Sequence, residues 1–220
     1  MRAFLSSFGF GNFSDELLKL TSGRRCVIIG NAGDHKTVED RAEKMTMEHE
    51  LLNELGFESI ELDLRDYFED QTGLEEILRN CDLLWVRGGN SFNLIKALVK
   101  TGADKIIKKL LEEDAIVYGG YSAGAVIMQN DLHGVEFVDD TYDIPELYDH
   151  EIVWSALGLL PYYVVPHYQS ENVEAELVEK TAEFYVENDI PFRPLRDGEV
   201  IVINGESHRT LELEDSDLSD

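Results

Sequence analysis

Residues 115–130 read AIVYGGYSAGAVIMQN: an apolar, strand-like run, small residues on either side of one serine, then a helix-forming stretch. Small side chains bury little and leave the backbone freer in the unfolded chain, so they carry a stability cost. A turn too sharp for bulkier neighbours would explain Gly119, Gly120, Ala123 and Gly124. Gly120-Tyr121-Ser122-Ala123-Gly124 fits G-x-S-x-G between a predicted strand and a predicted helix, the context that lifts a serine hydroxyl clear of a sheet. The Ala123 N–H and the helix N-terminus would then face the place where an oxyanion forms. The plainer reading is a glycine-rich turn with an incidental serine; the strand-to-helix setting favours a nucleophile.

Working outward, strand-like and helix-like segments alternate. RCVIIG (25–30), SIELDL (59–64), DLLWV (82–86) and AIVYGG (115–120) read as strands. Residues 38–55 read as a helix with Met47, Leu51, Leu52 and Leu55 on or near one stripe, and further helices follow at 73–80, 91–102 and 103–114, the last with Ile106, Ile107, Leu110 and Leu111 inward. This rhythm predicts an α/β fold: a doubly wound, mostly parallel sheet with helices on both faces. YYVVPHY reads as a later strand, 170–188 as a long helix, and EVIVINGESHRTLEL as a C-terminal hairpin turning at Asn204-Gly205. Residues 130–150 break the rhythm as an irregular, acidic and aromatic excursion, and 214–220 form an acidic tail. A chain of 220 residues suits one α/β hydrolytic domain.

Charge excludes some partners. With 45 acidic and 19 basic residues the net charge is −26, a surface that repels phosphate backbones and argues against nucleic acid. No apolar run approaches the ~20 residues of a membrane span, and the start lacks the pattern of a signal peptide. A cytoplasmic protein without a membrane partner, monomeric or homodimeric, is expected. Cys26 and Cys81 sit in or beside apolar runs, without metal-ligand spacing, and read as buried small hydrophobes.

In open parallel sheets, ligands bind beyond the carboxyl ends of the strands. Besides Ser122, two segments fall there. VRGGNSFNL (86–94) places Gly88 and Gly89 after a strand, where backbone N–H groups could serve an oxyanion, and Asn90 and Ser91 where they could cap a helix. VVPHYQS (164–170) places His167 after a strand and a proline, suited to a general base. His35, His49, His133 and His150 lie in less suitable segments, and His208 in the terminal hairpin is the rival. The acid that would orient the imidazole is open from spacing alone: Asp197 and Glu199 in LRDGEV, or Asp139, Asp140 and Asp143 in the excursion.

VRGGNSFNLIKAL, YGGYSAGAVI, SALGLLPYYVVPHY and the weaker LRDGEVIVING, taken together, resemble peptidase family S51, the aspartyl dipeptidase (dipeptidase E) and cyanophycinase group. The resemblance spans nearly the whole chain. It implies a fold like that of class I glutamine amidotransferases (flavodoxin-like) and a serine peptidase acting on small peptides without metal or organic cofactor. Carried onto this sequence, it makes Ser122 the nucleophile and His167 the base, with Gly89 and Ala123 as oxyanion donors. Asp197 is its first choice of acid and Glu199 its second. Asn90, Arg87 and Tyr168 are the expected substrate-binding residues. Arg87, Arg193 and Arg196 are the cations available for an aspartyl side chain, although the acidic excursion would disfavour one. The rival readings are an α/β-hydrolase-type esterase using His208 and a non-catalytic binding or sensor member of the same fold.

Overall fold

In a computed structural model the described residues are 1–171 and 174–213; the acidic tail at 214–220 lies outside them. The central strands β4 (Leu83–Val86) and β5 (Val117–Tyr121) are buried along their whole length. Strands of this kind need cover on both faces. Alternate residues serve two cores: Ala3, Val27, Leu84 and Tyr118 on one face, Phe4, Ile28, Trp85 and Val117 on the other.

The seven-stranded sheet also contains β1 (Arg2–Ser6), β2 (Arg25–Ile29), β3 (Glu58–Glu61), β8 (Val200–Asn204) and β9 (Ser207–Leu211), in the order β3-β2-β4-β5-β1-β8-β9. The strands from β3 to β1 run parallel, and β8 and β9 are antiparallel. The helices are α1 (Ser14–Leu20), α2 (Val38–Glu54), α3 (Leu74–Arg79), α4 (Ser91–Thr101), α5 (Ala103–Glu112), α6 (Ala123–Val126) and α7 (Ala175–Glu187). The expected α/β class, mostly parallel sheet and C-terminal hairpin are all present.

Details differ from the sequence reading. YYVVPHY does not join the main sheet: β6 (Tyr163–Val165) pairs in parallel with β7 (Phe192–Pro194) in a separate two-stranded sheet. On α2 the stripe is displaced. Met45, Glu48 and Leu52 are buried, whereas Met47 and Leu51 are exposed. The polar Glu48 faces inward, which a purely hydrophobic periodicity does not anticipate. Asn204 pairs with Ser207, so the hairpin turns through Gly205 and Glu206. The helix after Ser122 is only one short turn, and the excursion beyond it is irregular apart from a 3-10 turn at Val135–Phe137.

Candidate active site

The tight passage from β5 into α6 is set by backbone proximity. A Cβ on Gly124 would lie 2.2 Å from the Val86 carbonyl oxygen, so only glycine lets α6 approach β4 this closely. Ser122, between strand and helix, has φ of 50° and ψ of −120°. Positive φ is unfavourable for a residue with a Cβ, and such strain concentrates at functional turns. Ala123 is the first helical residue, where an N–H has no intrahelical acceptor.

Across from this turn, Gly89 has φ of 143°, and a Cβ there would lie 2.6 Å from the Ala32 carbonyl oxygen. Among the described residues the Gly89 N–H has no acceptor. Asn90 caps α4, its Oδ1 accepting from Phe92 N and Asn93 N, while its Nδ2 donates to the Asp140 carbonyl. Its side chain is therefore engaged in tying the excursion to the helix.

His167 follows β6 with φ of 58°. Its Nδ1 lies 2.7 Å from Asp197 Oδ1. The carboxylate accepts, so Nδ1 carries the proton and Nε2 is left with a lone pair. Ser7, just beyond β1, completes the unit: it accepts from His167 N at 2.7 Å and donates to Asp197 Oδ1 at 2.7 Å. Burial works to raise the Asp197 pKa, but the His167 and Ser7 hydrogen bonds outweigh it and hold the carboxyl below its ordinary value. Glu199 points elsewhere, accepting from Arg196 N at 2.8 Å. Ser7 was not a candidate from the sequence, because a serine at a strand end carries no signal of its own.

Ser122, Ala123, Gly88, Gly89 and His167 line one cavity of about 700 Å³ at the carboxyl ends of β4 and β5. No hydrogen bond joins Ser122 Oγ to the imidazole among the described residues; such contacts are often loose before substrate binds. Phe8, 63% exposed, has its ring centroid 6.4 Å from that of His167.

The other expected residues divide. Arg87 lines the cavity, but its Nε is 3.0 Å from Glu48 Oε2, so its charge is already balanced. Tyr168 does not line the cavity; it packs against the Tyr163–Tyr185 cluster. Arg193 stacks over Tyr162 and bonds the His208 carbonyl, and Arg196 bonds Gln169. Neither lines the cavity. His208 lies on β9 with Nδ1 2.9 Å from Tyr162 Oη, away from Ser122, which removes the geometric basis for the esterase reading. Asp139, Asp140 and Asp143 do border the cavity. Asp139 Oδ2 accepts from Ser91 N at 2.7 Å, and burial pushes its carboxyl up to about 6.

Among enzymes, a strained strand-end serine sharing a cavity with a carboxylate-bound imidazole belongs to the serine-type hydrolases. Comparison with known proteins narrows this. The family model described as peptidase family S51 matches residues 9–211. The Listeria monocytogenes protein "Uncharacterized peptidase Lmo0363" is 32% identical over 179 residues, 80% of this chain and 82% of its own length. Streptomyces coelicolor peptidase E is 31% identical over 134 residues, 59% of this chain; the match spans about half (51%) of that relative's length. A crystal structure from Listeria monocytogenes EGD-e, assigned to peptidase E, superposes with a TM-score of 0.80 at 27% identity, covering 97% of this chain and 98% of that one. The chain belongs to peptidase family S51 and is a serine-type peptidase. Among its described residues, no helix is long and apolar enough to cross a membrane.

Proposed function

We propose that the protein is a dipeptidase E-like enzyme that hydrolyses small peptides through Ser122, His167 and Asp197. The observation that carries this reading is the 2.7 Å contact between His167 Nδ1 and Asp197 Oδ1 beside a serine at a strained turn. Asp197 fixes the tautomer, leaving Nε2 to take the Ser122 proton as Oγ attacks the scissile carbonyl. The developing oxyanion is met by the Gly89 and Ala123 N–H groups, aided by the start of α6. His167 then returns the proton to the leaving amine as the C–N bond breaks. Water, deprotonated by the same imidazole, cleaves the acyl-enzyme and releases the acid with Ser122 restored.

The test combines labelling with turnover. A fluorophosphonate probe is expected to label native wild type but neither the denatured protein nor Ser122→Ala, and a dipeptide library is expected to be hydrolysed only by the wild type. Hydrolysis surviving in Ser122→Ala would remove the serine from the mechanism. No labelling and no turnover would favour the binding-module reading instead.

A further inference from the structure

The cavity beside Ser122 has two dissimilar ends. Along β6 and the segments that follow β5 and β6 it is lined by Val126, Val135, Val138, Val164 and Val178. Thr181 lies there too, its hydroxyl already donating to the Gly134 carbonyl. Toward the segment that follows β2 it is bounded by Lys36, Arg41 and Lys44 together with Asp40, and by His35, whose Nε2 lies 3.8 Å from Asp143 Oδ2. Arg41 is paired with Asp34 at 3.0 Å and Asp63 at 3.4 Å. Lys36 and Lys44 form no ion pair among the described residues. Apart from Arg87, held by Glu48, every Lys or Arg that lines the cavity is on this second side.

Two polar residues, Asp139 and Ser91, also line the cavity. The Asp139 carboxylate has one oxygen on Ser91 N. The Ser91 hydroxyl, in a residue only 1% exposed that lines the cavity, lies beside the Asp139 carboxylate without a well-formed hydrogen bond to it. A carboxylate and a hydroxyl set side by side offer two acceptors to one cationic donor.

A valine-lined end stabilises an apolar side chain by roughly 25 cal/mol for each Å² removed from water. A carboxylate placed there would lose its hydration with no cation to replace it, and Asp139 would repel it. We propose that, within the peptidase reading above, the cavity selects short peptides with a free α-ammonium and an apolar acyl residue over peptides with an aspartyl one. The acyl side chain occupies the valine-lined end. The α-ammonium sits against Asp139 and Ser91 Oγ, and the free carboxylate of the peptide faces Lys36 and Lys44.

The experiment measures kcat/KM for Leu-X, Val-X, Ala-X and Asp-X dipeptides with one common X, and for N-acetyl-Leu-X, with Ser122→Ala as blank. Wild type is expected to favour Leu-X and Val-X over Asp-X by at least about tenfold. Val138→Phe, at a partly exposed position, fills the apolar end; it is expected to lower Leu-X and Val-X by about tenfold and to spare Ala-X. Asp139→Asn is expected to lower turnover of free-amine peptides and leave the N-acetyl peptide unchanged. Asp-X cleaved by wild type as well as Leu-X overturns the proposal and leaves the Ser122 mechanism standing. Asp139→Asn lowering free and acetylated peptides alike overturns the ammonium site. Turnover of every peptide no better than Ser122→Ala overturns both the proposal and the reading on which it rests.

Discussion

The Asp197 carboxylate accepts from His167 Nδ1 and Ser7 Oγ, and its own backbone N–H donates to Ser170 Oγ. These bonds make its position and its charge inseparable. Asp197→Asn would keep the shape but offer an amide that can donate to Nδ1, selecting the tautomer in which Nε2 carries the proton and cannot act as base. The expected loss in kcat is on the order of 10³ to 10⁴-fold, with KM little changed. The same group gives a stability signature. Its folded pKa is lowered, so its contribution is present above the ordinary carboxylate value of about 4 and is lost as pH falls through the lowered folded value. The Tm gap between wild type and Asp197→Asn should therefore shrink on acidification. A gap that widens toward low pH would contradict the assigned charge state.

At the scale of elements, α2 reaches beneath the site through Glu48. Its Oε1 accepts from Trp85 Nε1 at 2.6 Å, and its Oε2 from Arg87 Nε and Tyr121 Oη, each at 3.0 Å. Arg87 precedes the Gly88-Gly89 turn and Tyr121 precedes Ser122, so one carboxylate from a helix spaces the two strand ends that carry the proposed oxyanion donors and the proposed nucleophile. Breaking a buried pair by removing one partner costs about 3–5 kcal/mol, the loss expected for Glu48→Ala in thermal or urea unfolding. Glu48→Gln retains the volume. If Gly89 and Ala123 serve the oxyanion as proposed, it should lower kcat more than it raises KM, because a displaced donor is felt in the transition state. Unchanged kcat in a folded Glu48→Gln variant would make the network structural only.

This element also shows how far the sequence was legible. The strand-to-helix turn at Ser122 and the segments bearing Gly89 and His167 were readable because each is a local pattern. Glu48 was not, since an inward acid on a helix is indistinguishable in sequence from the surface acids around it. The acid partner was open for the same reason: Asp197 and Glu199 are neighbours in a turn, and only the fold sends one to His167 and the other back to Arg196 N. The path of β6 into a separate sheet depends on its pairing with β7, a non-local contact that strand propensity does not encode.

For the whole molecule, the dominant property is a net charge of −26. Acidic residues extend to the cavity, where Asp139, Asp140, Asp143 and Glu174 are among the lining groups. The summed field of such a surface acts on any charged substrate before contact is made. At neutral pH an aspartyl dipeptide carries one net negative charge, whereas a dipeptide of neutral residues is a zwitterion with none. Salt shortens the Debye length from about 10 Å at 0.1 M to about 3 Å at 1 M, so it should relieve repulsion of the first substrate and leave the second nearly unaffected. The expected outcome is a kcat/KM for Asp-X that rises several-fold between low and high salt while that for Leu-X stays flat. Parallel salt curves would assign any preference against aspartate to the cavity wall alone. A curve rising only for Asp-X, yet still below Leu-X at high salt, would separate the long-range field from the local contribution of Asp139 and the valines.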